Sequence, residues 1–170
     1  MFRGAPNIID VEASGFGPDS YPIEIGVVLS NGDRYCSLIQ PADDWTFWSE
    51  SAEEVHHISR EILLKHGKPM CVVAEELNSF LEGMTVYTDG WVVDSPWIKK
   101  LYYAAFTQMS FSVSSLEMIL KEPQMEIWHE VKDEVEKLKE GNRHRASFDA
   151  ALIQDTFVKT AEMTFKSKSK

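Results

Sequence analysis

The chain has 170 residues, of which 44% are hydrophobic and 26% are charged, and its formal net charge is −10. This length matches one domain that buries a substantial core without covalent staples. The acidic balance argues against a protein that coats nucleic acid through a broad basic surface. It is compatible with a short, local contact at a strand end, because carboxylates that hold metal ions are themselves a source of negative charge.

Targeting and redox features of the sequence predict a cytoplasmic protein. The first six residues lack the basic start and apolar core of a signal peptide, and no apolar run reaches membrane-spanning length. Cys36 and Cys71 are far apart and belong to no CxxC or Cys/His pattern, which argues against a zinc site. We expect both cysteines to be buried thiols in a reducing compartment.

The first part of the chain predicts a sheet. An apolar run at residues 7–11 is followed by a buried stretch at 23–29 whose one charge is Glu24, and by a third strand at 34–39. Asn31-Gly32 between the last two is a strong hairpin signal, so we expect a sequential, largely antiparallel arrangement. The aromatic residues of segment 41–48 are expected to fold onto the core, although they are also suited to stacking on bases.

The rest of the chain alternates helical and short extended patterns. Ser51 and Ser59 are predicted to cap two short helices. Further elements are predicted at 69–83 (helix), 84–88 (strand), from 94 (helix), 111–113 (strand), 115–120 (short helix), 123–140 (amphipathic helix) and 146–165 (helix). No repeat or linker interrupts them, so residues 1–165 are expected to form one domain, followed by a polar tail at 166–170.

The first predicted strand carries a pair of acids. Asp10 and Glu12 are two residues apart, so in a strand their side chains face the same way. Two carboxylates this close are stable together when a cation or a proton neutralises them, and hard oxygen ligands suit Mg²⁺ or Mn²⁺. The alternative is an ordinary turn, because Asp-x-Glu is common and a loop-like Ala-Ser-Gly-Phe-Gly-Pro follows it.

Further acids and one histidine are candidates for the same site. His144 precedes Asp149 by five residues. On one helix the two would be about 140° apart, so they converge only if His144 lies on the preceding loop, which Gly141-Asn142 supplies, and Asp149 lies in the second turn. Asp94 is predicted at a helix start, where a helix N-cap is the alternative to a catalytic role.

The order of these pieces resembles the DEDDh branch of the DnaQ-like 3′–5′ exonucleases, over residues 7 to about 158. The family has an Asp-x-Glu motif followed by Thr-Gly, an Ile-Glu-Ile strand, a Val-His-Gly-Ile segment, a Phe-Asp-x-x-Phe-Leu motif and a His-Arg-Ala-x-x-Asp-Ala motif. The matching segments here are Asp10-Val11-Glu12-Ala13-Ser14-Gly15, Ile23-Glu24-Ile25-Gly26, Val55-His56-His57-Ile58-Ser59, Val93-Asp94-Ser95-Pro96-Trp97-Ile98 and His144-Arg145-Ala146-Ser147-Phe148-Asp149-Ala150.

Two features depart from the family pattern. The family often has His-Asn some four residues before the second-motif Asp, where this chain has Asp89-Gly90, so Asp89 is a rival for the role of Asp94. Residue 57 is His where the family usually has Gly, which adds bulk beside the expected path of the terminal nucleotide.

The resemblance implies an α/β fold of the ribonuclease H-like type, with a mixed five-stranded sheet flanked by helices. It implies two divalent ions, Mg²⁺ or Mn²⁺, held by Asp10, Glu12, Asp94 and Asp149, with His144 as the general base. The implied reaction is 3′–5′ exonucleolytic hydrolysis of single-stranded nucleic acid, RNA or DNA, which releases nucleoside 5′-monophosphates.

The same resemblance suggests substrate contacts. Phe16 would wedge against the terminal base, with a core position under the loop as the alternative. Independently of the resemblance, one of the adjacent histidines, taken as His56, is expected to face substrate and His57 to lie on the surface. Arg143 and Arg145 are candidates to grip phosphate, with ordinary surface positions as the alternative. The expected partner is the 3′ end of a single strand, with no membrane; a homodimer is left open. Two other functions remain open, namely a phosphodiesterase for very short oligonucleotides and an inactive metal- or nucleic-acid-binding module of the same fold.

Overall fold

The computed structural model describes residues 4–139 and 143–167, which form a five-stranded mixed sheet flanked by helices. The strands are β1 (Ile8–Ala13), β2 (Pro22–Val28), β3 (Arg34–Leu38), β4 (Thr85–Thr88) and β5 (Ser112–Ser115). The helices are α1 (Glu50–His56), α2 (Arg60–His66), α3 (Met70–Leu81), α4 (Trp91–Ala104), α5 (Glu122–Leu138) and α6 (Ala146–Ser167), with a 3₁₀ turn at Leu116–Met118. The predicted loop residues Gly141 and Asn142 lie outside the described residues.

The sheet has the order β3-β2-β1-β4-β5, with β1 at its centre. Strands β1, β2 and β3 pair antiparallel, as the sequence predicts, while β4 runs parallel to both β1 and β5. The predicted hairpin is confirmed, because the Leu29 N–H donates to the Asp33 carbonyl at 2.8 Å and Gly32 adopts a φ of 92°. Since β1 and β4 are parallel, their carboxyl ends open on the same edge of the sheet.

Each face of the sheet is covered by its own pair of helices. Ile9, Val11 and Ala13 of β1 belong to the apolar cluster that packs against α3 and α4. Ile8 faces the other way, into a cluster with residues of α5 and α6. The alternation of a strand therefore directs Asp10 and Glu12, which share a face with Ile8, toward α6.

Several local predictions are corrected by the structure. The N-cap of α1 is Ser49, not Ser51, and its side chain accepts from the Ala52 N–H; Ser59 caps α2 as predicted. Both cysteines are free, but they are exposed rather than buried, because Cys36 lies on the edge strand β3 and Cys71 lies in the first turn of α3.

The ends of the described chain bear on two further expectations. Helix α6 continues to Ser167, into the stretch predicted as a tail, and residues 168–170 lie outside the described residues. Within residues 4–139 and 143–167, no helix combines the length and the apolarity that crossing a bilayer requires.

Trp45 is 8% exposed and stacks on Tyr21 with a centroid separation of 5.2 Å, so this aromatic residue belongs to the core.

Candidate active site

Three carboxylates from distant parts of the chain converge at the centre of the sheet. One oxygen each of Asp10, Glu12 and Asp149 lies within 4.8 Å of the others. Asp10 and Glu12 come from β1, whereas Asp149 lies in the first turn of α6 rather than in the predicted second turn. Carboxylate oxygens grouped at this spacing are suitable ligands for Mg²⁺ or Mn²⁺, so the three residues fit a hard divalent ion.

A glycine on β2 explains how α6 reaches β1. Gly26 pairs with Asp10 in the antiparallel register. A Cβ at residue 26 would lie 2.3 Å from the Ala146 carbonyl carbon and 2.4 Å from the Ser147 nitrogen. The absence of a side chain therefore lets the first turn of α6 rest directly on the strand beside Asp10, which brings Asp149 into the acidic cluster.

Arg145 anchors the same helix end to the sheet. Its Nη2 lies 2.6 Å from Oε1 of Glu24, and its Nε lies 3.1 Å from both carboxylate oxygens. The Ala146 N–H donates to the same carboxylate at 2.9 Å, and Glu24 is 1% exposed. The predicted contact of Arg145 with substrate stays a prediction, because in the structure its guanidinium is paired with this buried acid.

Asp94 approaches the site from α4. Its carboxylate accepts a hydrogen bond from the Thr88 hydroxyl at the end of β4. The N-cap of α4 is Gly90, so the alternative reading of Asp94 as an N-cap is wrong. Its rival Asp89 instead pairs with Lys132 of α5 at 2.6 Å.

Burial and nearby negative charges raise the pKa values of Asp10, Glu12 and Asp94. Desolvation, and then the charges of Asp94, Glu12 and Asp149, raise the pKa of Asp10 well above its usual value. Desolvation, with Asp149 as the largest charge effect, raises the pKa of Glu12 to about 7. Burial likewise raises the pKa of Asp94 to about 7, against the opposing hydrogen bond from Thr88. Such a group needs a cation or protons for its carboxylates to stay together.

A cavity of about 220 Å³ opens beside these acids. Asp10 and Asp94 line it, together with Gly90, Trp97 and Phe16. Phe16 is 78% exposed, and its ring centroid lies 6.3 Å from that of Trp97. The alternative reading of Phe16 as a core residue is therefore wrong.

His144 lies on the segment that leads into α6, as predicted. It is half-buried and adopts a φ of 60°, a left-handed conformation that an L-residue adopts at a cost. Its neighbour Arg143 places Nη1 2.5 Å from Asp149 Oδ1 and Nε 2.8 Å from Glu136 Oε1. The charge of Arg143 also acts on Glu12, whose pKa it lowers against the larger opposing effects.

The two adjacent histidines differ in environment. His56 is 3% exposed, and its Nδ1 accepts from the Ile58 N–H at 3.1 Å, while Nε2 has no hydrogen-bond partner among the described residues. It does not line the cavity, and its substrate contact stays a prediction. His57 is exposed and ends α1 with a φ of 56°. Glycine adopts this left-handed conformation without steric cost, whereas a histidine does not.

Sequence reasoning missed the structural role of Glu24, and it offered Arg143 only as a phosphate contact beside Arg145. The signal for Glu24 was present, since a single charge within a buried apolar strand requires a partner. No local signal distinguishes Arg143 from Arg145, because the partner of each is set by the path of the chain before α6.

The architecture belongs to a class that has been solved before, the α/β fold of exonuclease I. No family model and no curated protein matches the chain. At the identities of the structural matches described below, the likeness shows the fold alone, and the DEDDh assignment stays a prediction.

The matching structures are of Escherichia coli exonuclease I. The zinc-ion-bound form in complex with single-stranded DNA matches with a TM-score of 0.67 and 16% identity, over 98% of this chain and 43% of that chain. The complex with a dA16 oligonucleotide matches with a TM-score of 0.67 and 16% identity, over 95% and 42%. The complex with a dT13 oligonucleotide matches with a TM-score of 0.64 and 16% identity, over 98% and 43%. This chain thus spans less than half the length of those proteins.

Proposed function

We propose that the protein is a divalent-metal-dependent 3′–5′ exonuclease that hydrolyses terminal phosphodiester bonds of single-stranded RNA or DNA and releases nucleoside 5′-monophosphates. The observation that carries this proposal is the convergence of Asp10, Glu12 and Asp149 within 4.8 Å, beside a cavity that Asp94 lines. The fold shared with exonuclease I, which has been solved with single-stranded oligonucleotides, supports a polynucleotide substrate.

The four acids would hold two ions, Mg²⁺ or Mn²⁺. When bound, these ions supply the Lewis acidity that makes a water nucleophilic near neutral pH and stabilises the departing 3′ oxygen. Asp10 is the central ligand in this proposal, because its charge interacts with Glu12, Asp94 and Asp149 alike. Thr88 fixes the Asp94 carboxylate by donating a hydrogen bond, so that acid is held in position before substrate arrives.

His144 is the proposed general base that takes the proton of the attacking water. The water oxygen attacks phosphorus, the bond between phosphorus and the 3′ oxygen of the preceding nucleotide breaks, and that oxygen takes a proton from solvent to become the new 3′-hydroxyl. The imidazole makes no hydrogen bond with a residue that the structure describes, so its nitrogens are available for proton transfer. The strained backbone at His144 fits a residue held for function.

The cavity favours a strand end over an internal segment. Its volume of about 220 Å³ is below the range of roughly 300–1,000 Å³ that is usual for drug-sized ligands. We therefore infer that no more than one terminal nucleotide enters it. Phe16, exposed at the rim, would stack on a base of that strand, because every base offers a face to an aromatic ring.

A degradation assay tests the proposal. Purified protein with Mg²⁺ or Mn²⁺ should shorten 5′-labelled single-stranded RNA or DNA one nucleotide at a time from the 3′ end. No shortening of either polymer with either metal would exclude it. Cleavage of a dinucleotide but not of a longer strand would favour the short-oligonucleotide phosphodiesterase, and metal uptake without any cleavage would favour the inactive module. The assay does not address oligomeric state, so the homodimer stays a prediction.

A further inference from the structure

Arg143 places a permanent positive charge against the candidate metal centre. Its Nη1 lies 2.5 Å from Oδ1 of Asp149, one of the three acids whose oxygens converge. Its Nε lies 2.8 Å from Oε1 of Glu136 on α5, so two carboxylates hold the guanidinium through different nitrogens. The Arg143 side chain is 31% exposed, which leaves it room to move away.

The position of this guanidinium conflicts with a divalent ion. Asp149 has two carboxylate oxygens, and a hydrogen bond from Arg143 engages one of them. An ion bound to Asp10, Glu12 and Asp149 would lie within a few ångströms of a like charge in a partly buried site, where repulsion is weakly screened. Arginine keeps its charge at every relevant pH, so deprotonation cannot relieve the repulsion.

We propose that Arg143 competes with divalent metal for Asp149 and thereby lowers the metal affinity of the centre. In the metal-free protein it neutralises part of the acidic cluster and helps to keep the acids together. When metal binds, the guanidinium gives up Asp149 and keeps Glu136 as its partner. This inference rests on the proposed function, because it takes the acidic cluster to be a metal site.

Two neighbouring basic side chains, Arg145 and Lys139, pair with acids outside the converging set. Arg145 pairs with Glu24, which lies outside the converging set, and so holds the helix in place. Lys139 pairs with Asp155 on the outer side of α6, between the same two helices that flank Arg143. A Lys139→Gln variant therefore removes the same charge from the same region without touching Asp149, and serves as the matched control.

The test is calorimetric titration of the full chain with Mn²⁺ at one fixed pH. Arg143→Gln should bind Mn²⁺ roughly tenfold more tightly than the wild type, whereas Lys139→Gln should change the affinity by less than about twofold. A loss of orientation at Asp149 would weaken binding instead, so an unchanged or weaker affinity in Arg143→Gln overturns the inference. An equal gain in Lys139→Gln would also overturn it, because the effect would then be one of overall charge.

Two further results keep the test decisive. If Arg143→Gln fails to fold, Glu136→Gln replaces it: with Glu136 neutral, the guanidinium depends more on Asp149, so Mn²⁺ binding should weaken several-fold, and an unchanged or tighter affinity overturns the inference. Failure of this inference alone would show as wild-type uptake of Mn²⁺ that Arg143→Gln does not alter. If neither protein takes up Mn²⁺, the proposed function fails, and the inference fails with it.

Discussion

Replacement of Glu12 by Gln should stabilise the metal-free protein and abolish its stabilisation by divalent ions. Desolvation, followed by the charges of Asp149, Glu24 and Asp94, raises the pKa of Glu12 from 4.5 to about 7. Because the folded-state pKa is raised, the contribution of this acid to stability is present below 4.5 and is lost as the pH rises through about 7. A glutamine has no proton to lose, so the advantage of the variant should grow with pH across this window.

The pKa sets an upper bound on the effect. A tenfold change in proton affinity corresponds to about 1.4 kcal/mol, so an ionised Glu12 costs the metal-free fold at most about 3.5 kcal/mol. Partial exposure of the side chain lowers this figure. In a chain of 170 residues, we therefore expect the Tm of Glu12→Gln to exceed that of the wild type by roughly 2–8 °C above neutral pH.

Thermal unfolding in chelator and in saturating Mn²⁺ measures both effects. At mildly alkaline pH the variant should melt above the wild type in chelator and below it in Mn²⁺, because a neutral amide is a poorer ligand than a carboxylate. At mildly acidic pH the difference in chelator should shrink. Glu54→Gln, at an exposed acid of α1, is the control. A Glu12→Gln protein that melts below the wild type in chelator at both pH values would refute the reasoning.

The other predictions concern individual side chains of the site. His144→Ala should lower turnover roughly 100-fold or more while Mn²⁺ affinity stays within about twofold; a matching loss of metal binding would contradict its role as base. Phe16→Ala should weaken the binding of a single-stranded oligonucleotide, measured by fluorescence anisotropy with Ca²⁺ replacing Mg²⁺, by roughly fivefold to 100-fold. Phe106→Ala, at another exposed aromatic residue, should leave it unchanged. Asp94→Asn should lose metal binding, measured by calorimetry, whereas Asp89→Asn should retain it. The reverse result would identify Asp89 as the metal ligand instead.

Much of the fold follows from local signals in the sequence. The Asn31-Gly32 turn joins β2 and β3 as predicted, since its preferred backbone twist matches that of a hairpin. Helix α3 was predicted from the spacing of its apolar residues, which the structure buries. The predicted burial of Cys36 and Cys71 is wrong, because burial is decided by which elements cover a residue and not by its own apolarity.

The sequence predicts which residues form the candidate site, but it predicts only some of the contacts between their side chains. From the sequence, Asp94 is either a helix N-cap or a catalytic residue. Because α4 begins at Trp91, Asp94 lies inside the helix and is not its N-cap. It could assign Arg145 to substrate, yet the structure pairs this residue with Glu24 and directs Arg143 to Asp149. Two arginines that are two residues apart on a loop have no fixed relative direction until the flanking helices are placed.

The sequence by itself determined that Asp10 and Glu12 share one face, because the two-residue period of a strand is a property of its backbone. Only the tertiary structure decided that Asp149 joins them. That meeting depends on a glycine at residue 26, opposite Asp10, where the backbone of α6 approaches too closely for any side chain. The periodicity of a sequence predicts which side chains share a face of one strand or helix, whereas the contact between two elements depends on how closely their backbones can pack.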